Sequence, residues 1–239
     1  ASTSLNQSIA IIEKSTMTLT MFGSSDAVGF DNSDVIESGT QLSDLKMFRG
    51  KKTYESSQVS PIGDFSLDAS GNTFKNTNLT SPLFFDNTTG GDTFKLKNVN
   101  LELEKNNVTP GNLAGGGIWL GLRNQGVRLW NRIELKNINI KQAFRASINL
   151  QGSENITVNN VHDINSGLNT GDQTLFAYGA TFEDCNDISV NNYSMRSAYG
   201  FGMHIINSEN FTGDNISFDN LVFNSGEAIG LTITESDNV

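Results

Sequence analysis

A six-residue phrase recurs down the chain with an asparagine at its fifth place: FKLKNV from Phe94, IELKNI from Ile133, ITVNNV from Ile156, ISVNNY from Ile188 and ISFDNL from Ile216. A looser copy, FKNTNL, begins at Phe74, so the fifth positions are Asn78, Asn98, Asn137, Asn160, Asn192 and Asn220. Successive starts lie 20, 39, 23, 32 and 28 residues apart. Self-similarity at such periods implies stacked units, none of which buries its apolar face until a neighbour covers it. Within the phrase the apolar residues alternate with period two, which places them on one side of a strand rather than along a helix.

A second phrase follows the first: FSLDASGN from Phe65, INLQGSEN from Ile148, ATFEDCND from Ala180, MHIINSEN from Met203 and LTITESDN from Leu231. The start-to-start distance from first to second phrase is 15 residues in three repeats (133 to 148, 188 to 203, 216 to 231). It is 24 residues from Ile156 to Ala180, and also from Phe94 to Ile118 if GIWLGL is taken as a degenerate second phrase. Two repeats therefore carry nine extra residues between the same two strands, at roughly 106–117 and 166–179. Both insertions are expected to project from one face.

Coils of about 23 residues, each with short strands meeting at asparagine bends, predict an all-β chain: a right-handed single-stranded parallel β-helix, with coils about 4.8 Å apart. An asparagine at each bend can bond the backbone of its own turn and the asparagines above and below, forming a ladder of amides. Over roughly residues 62–239 the pattern resembles the pectate-lyase-like superfamily. That architecture hosts lyases, hydrolases, phage tailspikes and inert adhesins, so the resemblance speaks to fold before chemistry.

The repeats fill most of the 239 residues, predicting one solenoid over residues 61–239 behind an amino-terminal cap or attachment region, residues 1–60. In that first region SLNQSIAIIEK is weakly amphipathic, TMTLTMF suggests a strand from Met17 to Phe22, and FRGKKTYES another strand and turn. A cap would cover the apolar interior and unpaired edges that an open end exposes. The first residue is not Met, from which processing is expected, and the stop at Asn238 and Val239, just after a second phrase, suggests truncation at the carboxy end.

The 16 basic residues are spread thinly against 26 acidic ones, for a net charge of -10 and a pI near 4.6. Phosphate binding needs clustered positive charge, so a nucleic-acid partner is not expected. No stretch reaches the roughly 18 apolar residues of a membrane helix, so no membrane insertion is expected, and ASTSLNQSIA lacks the charged and apolar parts of a signal peptide. Cys185 stands alone, which excludes an intrachain disulfide. It occupies the place of Ser70, Ser153, Ser208 and Ser236 in the other second phrases, where a small side chain stacked at a bend explains it better than a catalytic thiol. Eight tripeptides match the N-glycosylation acceptor, including those at Asn78 and Asn192. A glycan would not fit on a ladder asparagine, so the matches read as by-products of the repeat in a bacterial or viral protein.

Chemistry is expected where the second phrase turns alternate side chains away from the core. Up the stack these positions give one column of Trp119, Asn149, Thr181, His204 and Thr232, and another of Gly121, Gln151, Glu183, Ile206 and Thr234. The two insertions border this strip, with Tyr178, Tyr199 and Arg145 at its edge. An aromatic platform with planar amides and hydroxyls suits an extended sugar chain, though the same residues can form a plain polar solvent face. Expected sugar-binding residues are Trp119, Asn149, Gln151, Tyr178, Tyr199, His204 and Glu227. Cleavage would need two carboxyl groups about 5 to 5.5 Å apart for retention or 6.5 to 9.5 Å for inversion. Asp172 on the second insertion and Glu183 on the strand it leads into are the expected catalytic pair. His162, on another strand, is expected to face outward.

Polygalacturonases, the enzymes this chain most resembles, show NTD, DD, GHG and RIK motifs. Here Asn169-Thr170-Gly171-Asp172 stands in place of NTD, no paired aspartates occur, and Tyr199 to His204 is not GHG, so that mechanism does not carry over. Calcium-dependent pectate lyases need clustered carboxylates and a basic residue, whereas the acids here are scattered; neither a metal nor a cofactor is expected. The resemblance leaves three readings. One is a phage tailspike-type receptor-binding protein, a homotrimer on the virion, that binds, or binds and cuts, a bacterial surface polysaccharide. The others are a secreted, extracellular polysaccharide lyase or hydrolase, and a noncatalytic adhesin or structural spike.

Overall fold

The alternating phrases form strands, and every pairing between them is parallel. The computed structural model describes residues 10–13, 16–19, 28–31, 34–37, 41–42, 53–55, 58–59, 61, 64–76, 82–86, 90–103, 116–121, 129–144, 146–167, 178–198, 200–222 and 229–239. Side chains are described from Pro61 onward, apart from those of Ser70, Asn76 and Tyr178. The first strands are β1 (Ala10–Glu13), β2 (Thr16–Leu19), β3 (Val28–Asp31), β4 (Asp34–Glu37), β5 (Gln41–Leu42), β6 (Thr53–Glu55) and β7 (Gln58–Val59). The repeats supply β8 (Phe65–Asn76), β9 (Phe84–Asp86), β10 (Phe94–Leu103), β11 (Ile118–Leu120), β12 (Ile133–Lys141) and β13 (Ile148–Gln151). They continue with β14 (Glu154–Ile164), β15 (Tyr178–Glu183), β16 (Asn186–Arg196), β17 (Phe201–Ile206), β18 (Glu209–Asp219) and β19 (Leu231–Thr234). No α-helix occurs among the described residues, and none there is long and apolar enough to cross a membrane.

Even-numbered strands from β6 to β18 make a seven-stranded sheet in sequence order, and odd-numbered strands from β5 to β19 make an eight-stranded one. Each circuit of the chain thus adds one strand to the same edge of each sheet, an arrangement consistent with a parallel β-helix. Upstream of residue 61, β5, β6 and β7 already belong to these sheets, while β1 pairs with β3 and β2 with β4 in two separate ribbons. The weakly amphipathic amino-terminal piece contains β1, and the expected strand from Met17 overlaps β2.

The inward columns are continuous and apolar. Phe65, Phe94, Ile133, Ile156, Ile188 and Phe211 stand in register, as do Leu67, Leu96, Leu135, Val158 and Val190. From the other sheet Ile118, Ile148, Ala180 and Met203 join the same buried core. Phe65 and Phe94 stack at 5.0 Å, and Trp130 meets Phe94 edge-on at 5.5 Å. Each ring therefore buries its faces against the circuits beside it, which a lone circuit could not do.

The bend asparagines are what let the strands turn. Asn98, Asn137, Asn160, Asn192 and Asn215 all sit at positive φ, between 52° and 55°, a backbone that asparagine adopts more readily than most residues. The Asn137 amide donates to Asn98 Oδ1 at 2.8 Å, Asn160 to Asn137 at 2.9 Å, Asn215 to Asn192 at 2.6 Å, and Asn98 to Asp68 at 2.9 Å. Rungs lie 39 residues apart across a long circuit and 23 across a short one.

Register corrects the repeat at both ends. The last rung is Asn215 rather than Asn220, because Ile216 pairs with Tyr193 and it is Phe211 that pairs with Ile188. Gly213 stands there for the second apolar residue, so FTGDNI departs from the phrase while ISFDNL, on the other half of the same strand, matches it. Asn220, at φ 53°, belongs to a different corner with Gln142, Asn165 and Ser197. From Phe211 to Leu231 is then 20 residues, so this circuit is also longer than the 15-residue form. At the other end FSLDASGN is not a second phrase: Phe65 pairs with Phe94 in the seven-stranded sheet, with a register shift opposite Lys97 to Val99. FKNTNL opens on the far half of that strand, where Phe74 pairs with Leu101, and Phe84–Asp86 is the matching strand of the other sheet. Asn78 lies outside the described residues.

One level of the core holds a cluster of buried polar side chains. In the column Phe74, Leu101, Ile140, Asp163, Met195 and Phe218 a carboxylate replaces an apolar side chain. The residues just before the paired positions Ile118, Ile148, Ala180, Met203 and Leu231 are Gly117, Ser147, Gly179, Gly202 and Gly230, so Ser147 breaks a glycine column. Ser147 donates to Asp163 Oδ2 and Ser166 to Oδ1, while Ser166 Oγ accepts the Ala143 N–H at 3.1 Å. All three side chains are at most 1 % exposed. The substitutions are complementary: a buried carboxylate is tolerable only beside donors. Tyr193, whose phenol lies within 2.6 Å of where a Cβ on Gly179 would sit, has its pKa pushed well above the ordinary tyrosine value, by burial first and by the Asp163 charge second.

Two stability predictions follow from these contacts. Asn137→Ala removes two ladder bonds and leaves a β-carbon at φ 54°, which should cost about 2–3 kcal/mol in urea unfolding; Asn137→Gly, which keeps the backbone, should cost about half that. Ser147→Gly with Ser166→Ala strips donors from a buried carboxylate and should cost about 3 kcal/mol or more. Adding Asp163→Leu to that pair should restore most of the loss, and a triple variant as unstable as the double would refute the complementarity.

Candidate ligand-binding strip

The expected columns are in register. Trp119 pairs with Asn149, Asn149 with Thr181, Thr181 with His204 and His204 with Thr232. Gln151 pairs with Glu183, Glu183 with Ile206 and Ile206 with Thr234. Because Ile118, Leu120, Ile148, Leu150, Phe182 and Ile205 fill the core, the alternate positions face the other side of the eight-stranded sheet. Phe85 extends the first column below Trp119.

This face is not the open solvent surface that alternation suggested. Asn149 is 0 % exposed, Thr181 and Glu183 1 %, and Gln151 6 %, while Trp119 and His204 on either side are half-buried and Thr234 is exposed. Alternation settles which way a side chain points, but what packs against that face is not encoded in the period of a strand.

The buried centre divides into a satisfied pair and an unsatisfied one. Gln151 Nε2 donates to Glu183 Oε2 at 2.9 Å, holding the carboxylate in one orientation. Beside it, Asn149 Nδ2 and Oδ1 and Thr181 Oγ1 are buried without a hydrogen-bond partner among the described residues. Buried polar groups are satisfied in the great majority of native structures, and exceptions point to a bound water, ion or ligand. His204 Nε2 lies 3.3 Å from Thr234 Oγ1, and burial lowers its pKa below the ordinary histidine value. The imidazole is accordingly neutral near pH 7 and offers one donor and one acceptor.

The corner that follows the strip carries a second ladder. Ser153, Ser208 and Ser236 hydroxyls each donate to the carbonyl two residues back, at 3.0, 2.8 and 2.9 Å, and the Cys185 thiol makes the same contact with Glu183 at 3.3 Å. Ser208 Oγ also accepts the Cys185 N–H, and Ser236 Oγ the Ser208 N–H, both at 3.1 Å. Cys185 is therefore a rung, as its place in the phrase suggested. Ser70 is not one, since it lies in β8 of the other sheet.

Of the expected sugar-binding residues, Trp119, Asn149, Gln151 and His204 are brought onto one strip together with Glu183. Tyr178 is in β15 opposite Phe201, but its side chain lies outside the described residues, as do Asp172, Tyr199, Glu227 and Arg145. His162 is exposed on the other sheet, with Nδ1 2.6 Å from Ser194 Oγ. Sequence reasoning missed the Gln151–Glu183 bond, although aligning the second phrases puts those two side by side, and the Thr234 contact of His204, which runs diagonally past the aligned Thr232. Among the described residues no group of three His, Cys, Asp or Glu could hold a metal ion. No protein-family model matches the chain, and neither a curated protein nor a solved structure matches it significantly.

Burial pushes the Cys185 thiol up to about 12, so at pH 8 it should resist alkylation in the folded protein and react fully in denaturant. A raised pKa favours folding below the unfolded thiol's value of about 8.5, and that contribution should fade as pH rises from there towards 12. Cys185→Ser, which restores the residue of the neighbouring rungs, should change stability by less than about 1 kcal/mol while abolishing labelling.

Proposed function

We propose that the chain is a right-handed single-stranded parallel β-helix of the pectate-lyase-like kind, and that the outer face of its eight-stranded sheet binds a polysaccharide. The observation that carries this reading is the polar centre between Trp119 and His204, where the Asn149 amide and the Thr181 hydroxyl are buried and unpartnered among the described residues. Sugars present what this column lacks: hydroxyls that donate and accept at once, on a ring whose apolar face stacks on an indole. A pyranose is about as long as the roughly 4.8 Å between parallel strands. A sugar chain running along the stack can then offer one residue to each circuit, which a compact ligand cannot do. We assign the protein to the tailspike type, a trimeric receptor-binding protein acting on bacterial surface polysaccharide outside the cell.

Binding is better supported than cleavage, because Glu183 is buried and tied to Gln151 rather than poised at the surface. If the strip cleaves its ligand, Asp172 and Glu183 are the carboxyl pair, in a secreted depolymerase or a tailspike alike. Replacing Trp119 by Ala should weaken binding of a susceptible bacterial surface polysaccharide about tenfold or more, by losing one stacked ring. Asp172→Asn and Glu183→Gln should each abolish depolymerisation while leaving binding within about threefold. Retained cleavage in both variants would remove them from the chemistry, and unchanged binding in Trp119→Ala would remove the strip from recognition. A monomer by light scattering would count against the trimeric tailspike assignment.

A further inference from the structure

The chemistry of the strip restricts which sugars it can take. Among its described residues the charged ones are Glu183 and, at the following corner, Asp184 and Glu235; no lysine or arginine stands in either column. The chain as a whole carries a net charge of -10. Like charges brought into a site of low dielectric repel strongly unless a cation separates them. A polymer of uronic or sialic acids would have to bring carboxylates beside Glu183, whose own oxygen already accepts the Gln151 amide.

The two unpartnered groups narrow the choice further. The Asn149 carboxamide, with neither Nδ2 nor Oδ1 partnered among the described residues, offers a donor and an acceptor side by side, and Thr181 Oγ1, one strand away, can do either. The complement of such a pair is a group that gives and takes hydrogen bonds at adjacent atoms, which a vicinal diol does and a carboxylate, acceptor only, does not. Amides and hydroxyls with the imidazole of His204 neutral near pH 7 make a set suited to uncharged hydroxyls from end to end.

Resting on the polysaccharide reading above, we infer that the strip is specific for an uncharged hexose chain, with a vicinal diol of one residue hydrogen-bonded by Asn149 and Thr181 at its centre. Thr181 then keeps a hydroxyl without a partner among the described residues and uses it in the complex, at some expense in stability.

The test measures binding of the full chain, by calorimetry, to neutral gluco-, manno- and galacto-oligosaccharides and to oligouronates of equal length, at low and at physiological salt. The expected result is binding of a neutral oligosaccharide with little dependence on salt, lost on periodate cleavage of its diols. Thr181→Val, which removes the hydroxyl at constant shape, should weaken that binding about tenfold and leave thermal stability of the free protein equal or higher. Asn149→Ala should weaken it at least as much. Preferential binding of oligouronates, lost in the Trp119→Ala variant, would overturn the charge selectivity while keeping the strip as a sugar site. Neutral binding unaffected by Thr181→Val would overturn the role of the central pair. Absence of binding to either class would overturn the polysaccharide reading itself.

Discussion

Asparagine's tolerance for a left-handed backbone, joined to the hydrogen bond its amide makes with the asparagine one circuit away, is the constraint on which the rest of the structure depends. A parallel sheet needs its strands to turn sharply and return at the same level each time. At Asn98, Asn137, Asn160, Asn192 and Asn215 the turn is made at nearly the same φ, so the circuits superpose even though one contains 39 residues and another 23. The rungs make the same amide hydrogen bond across the long circuit and the short one. The insertions can therefore vary while the sheets stay in register.

Stacking divides the side chains into columns, and each column is judged by its weakest member. Apolar columns gain from every neighbour of the same kind, which is why the phenylalanines and isoleucines of successive circuits pack as a continuous core. A polar residue in such a column needs a partner from another column at the same level. Asp163 has two, in Ser147 and Ser166, and the departures from the repeat at Asp163 and Ser147 make sense only together. On the outer face Gln151 and Glu183 satisfy each other in the same way. Asn149 and Thr181 differ from both, being buried without a hydrogen-bond partner among the described residues, and the proposed ligand-binding role rests on that difference.

Much of this was legible in the chain. The period-two alternation identified the strands, the recurrent asparagine marked a corner, and aligned second phrases placed Trp119, Asn149, Thr181 and His204 in one column. The errors came where a strand contains two alternating halves on either side of a bend. ISFDNL and FTGDNI are halves of one strand, and with Gly213 weakening the second, only the backbone pairing of Ile216 with Tyr193 could choose between them. Asp163 was equally visible as the charged entry in its own apolar column, but its meaning needed Ser147, sixteen residues earlier and across the core.

What the amino-acid sequence determined by itself was the local geometry: where strands run, where they bend, and which residues share a side of a strand. These follow from periodicity and from backbone preferences of single residues, which act over a few positions. Tertiary structure alone decided the register at the two ends, the closing of hydrogen bonds between circuits, and the burial of the strip that alternation had placed in solvent. Those outcomes depend on which segments come to lie against one another, and a repeat whose units are nearly alike does not specify that in any one of its copies.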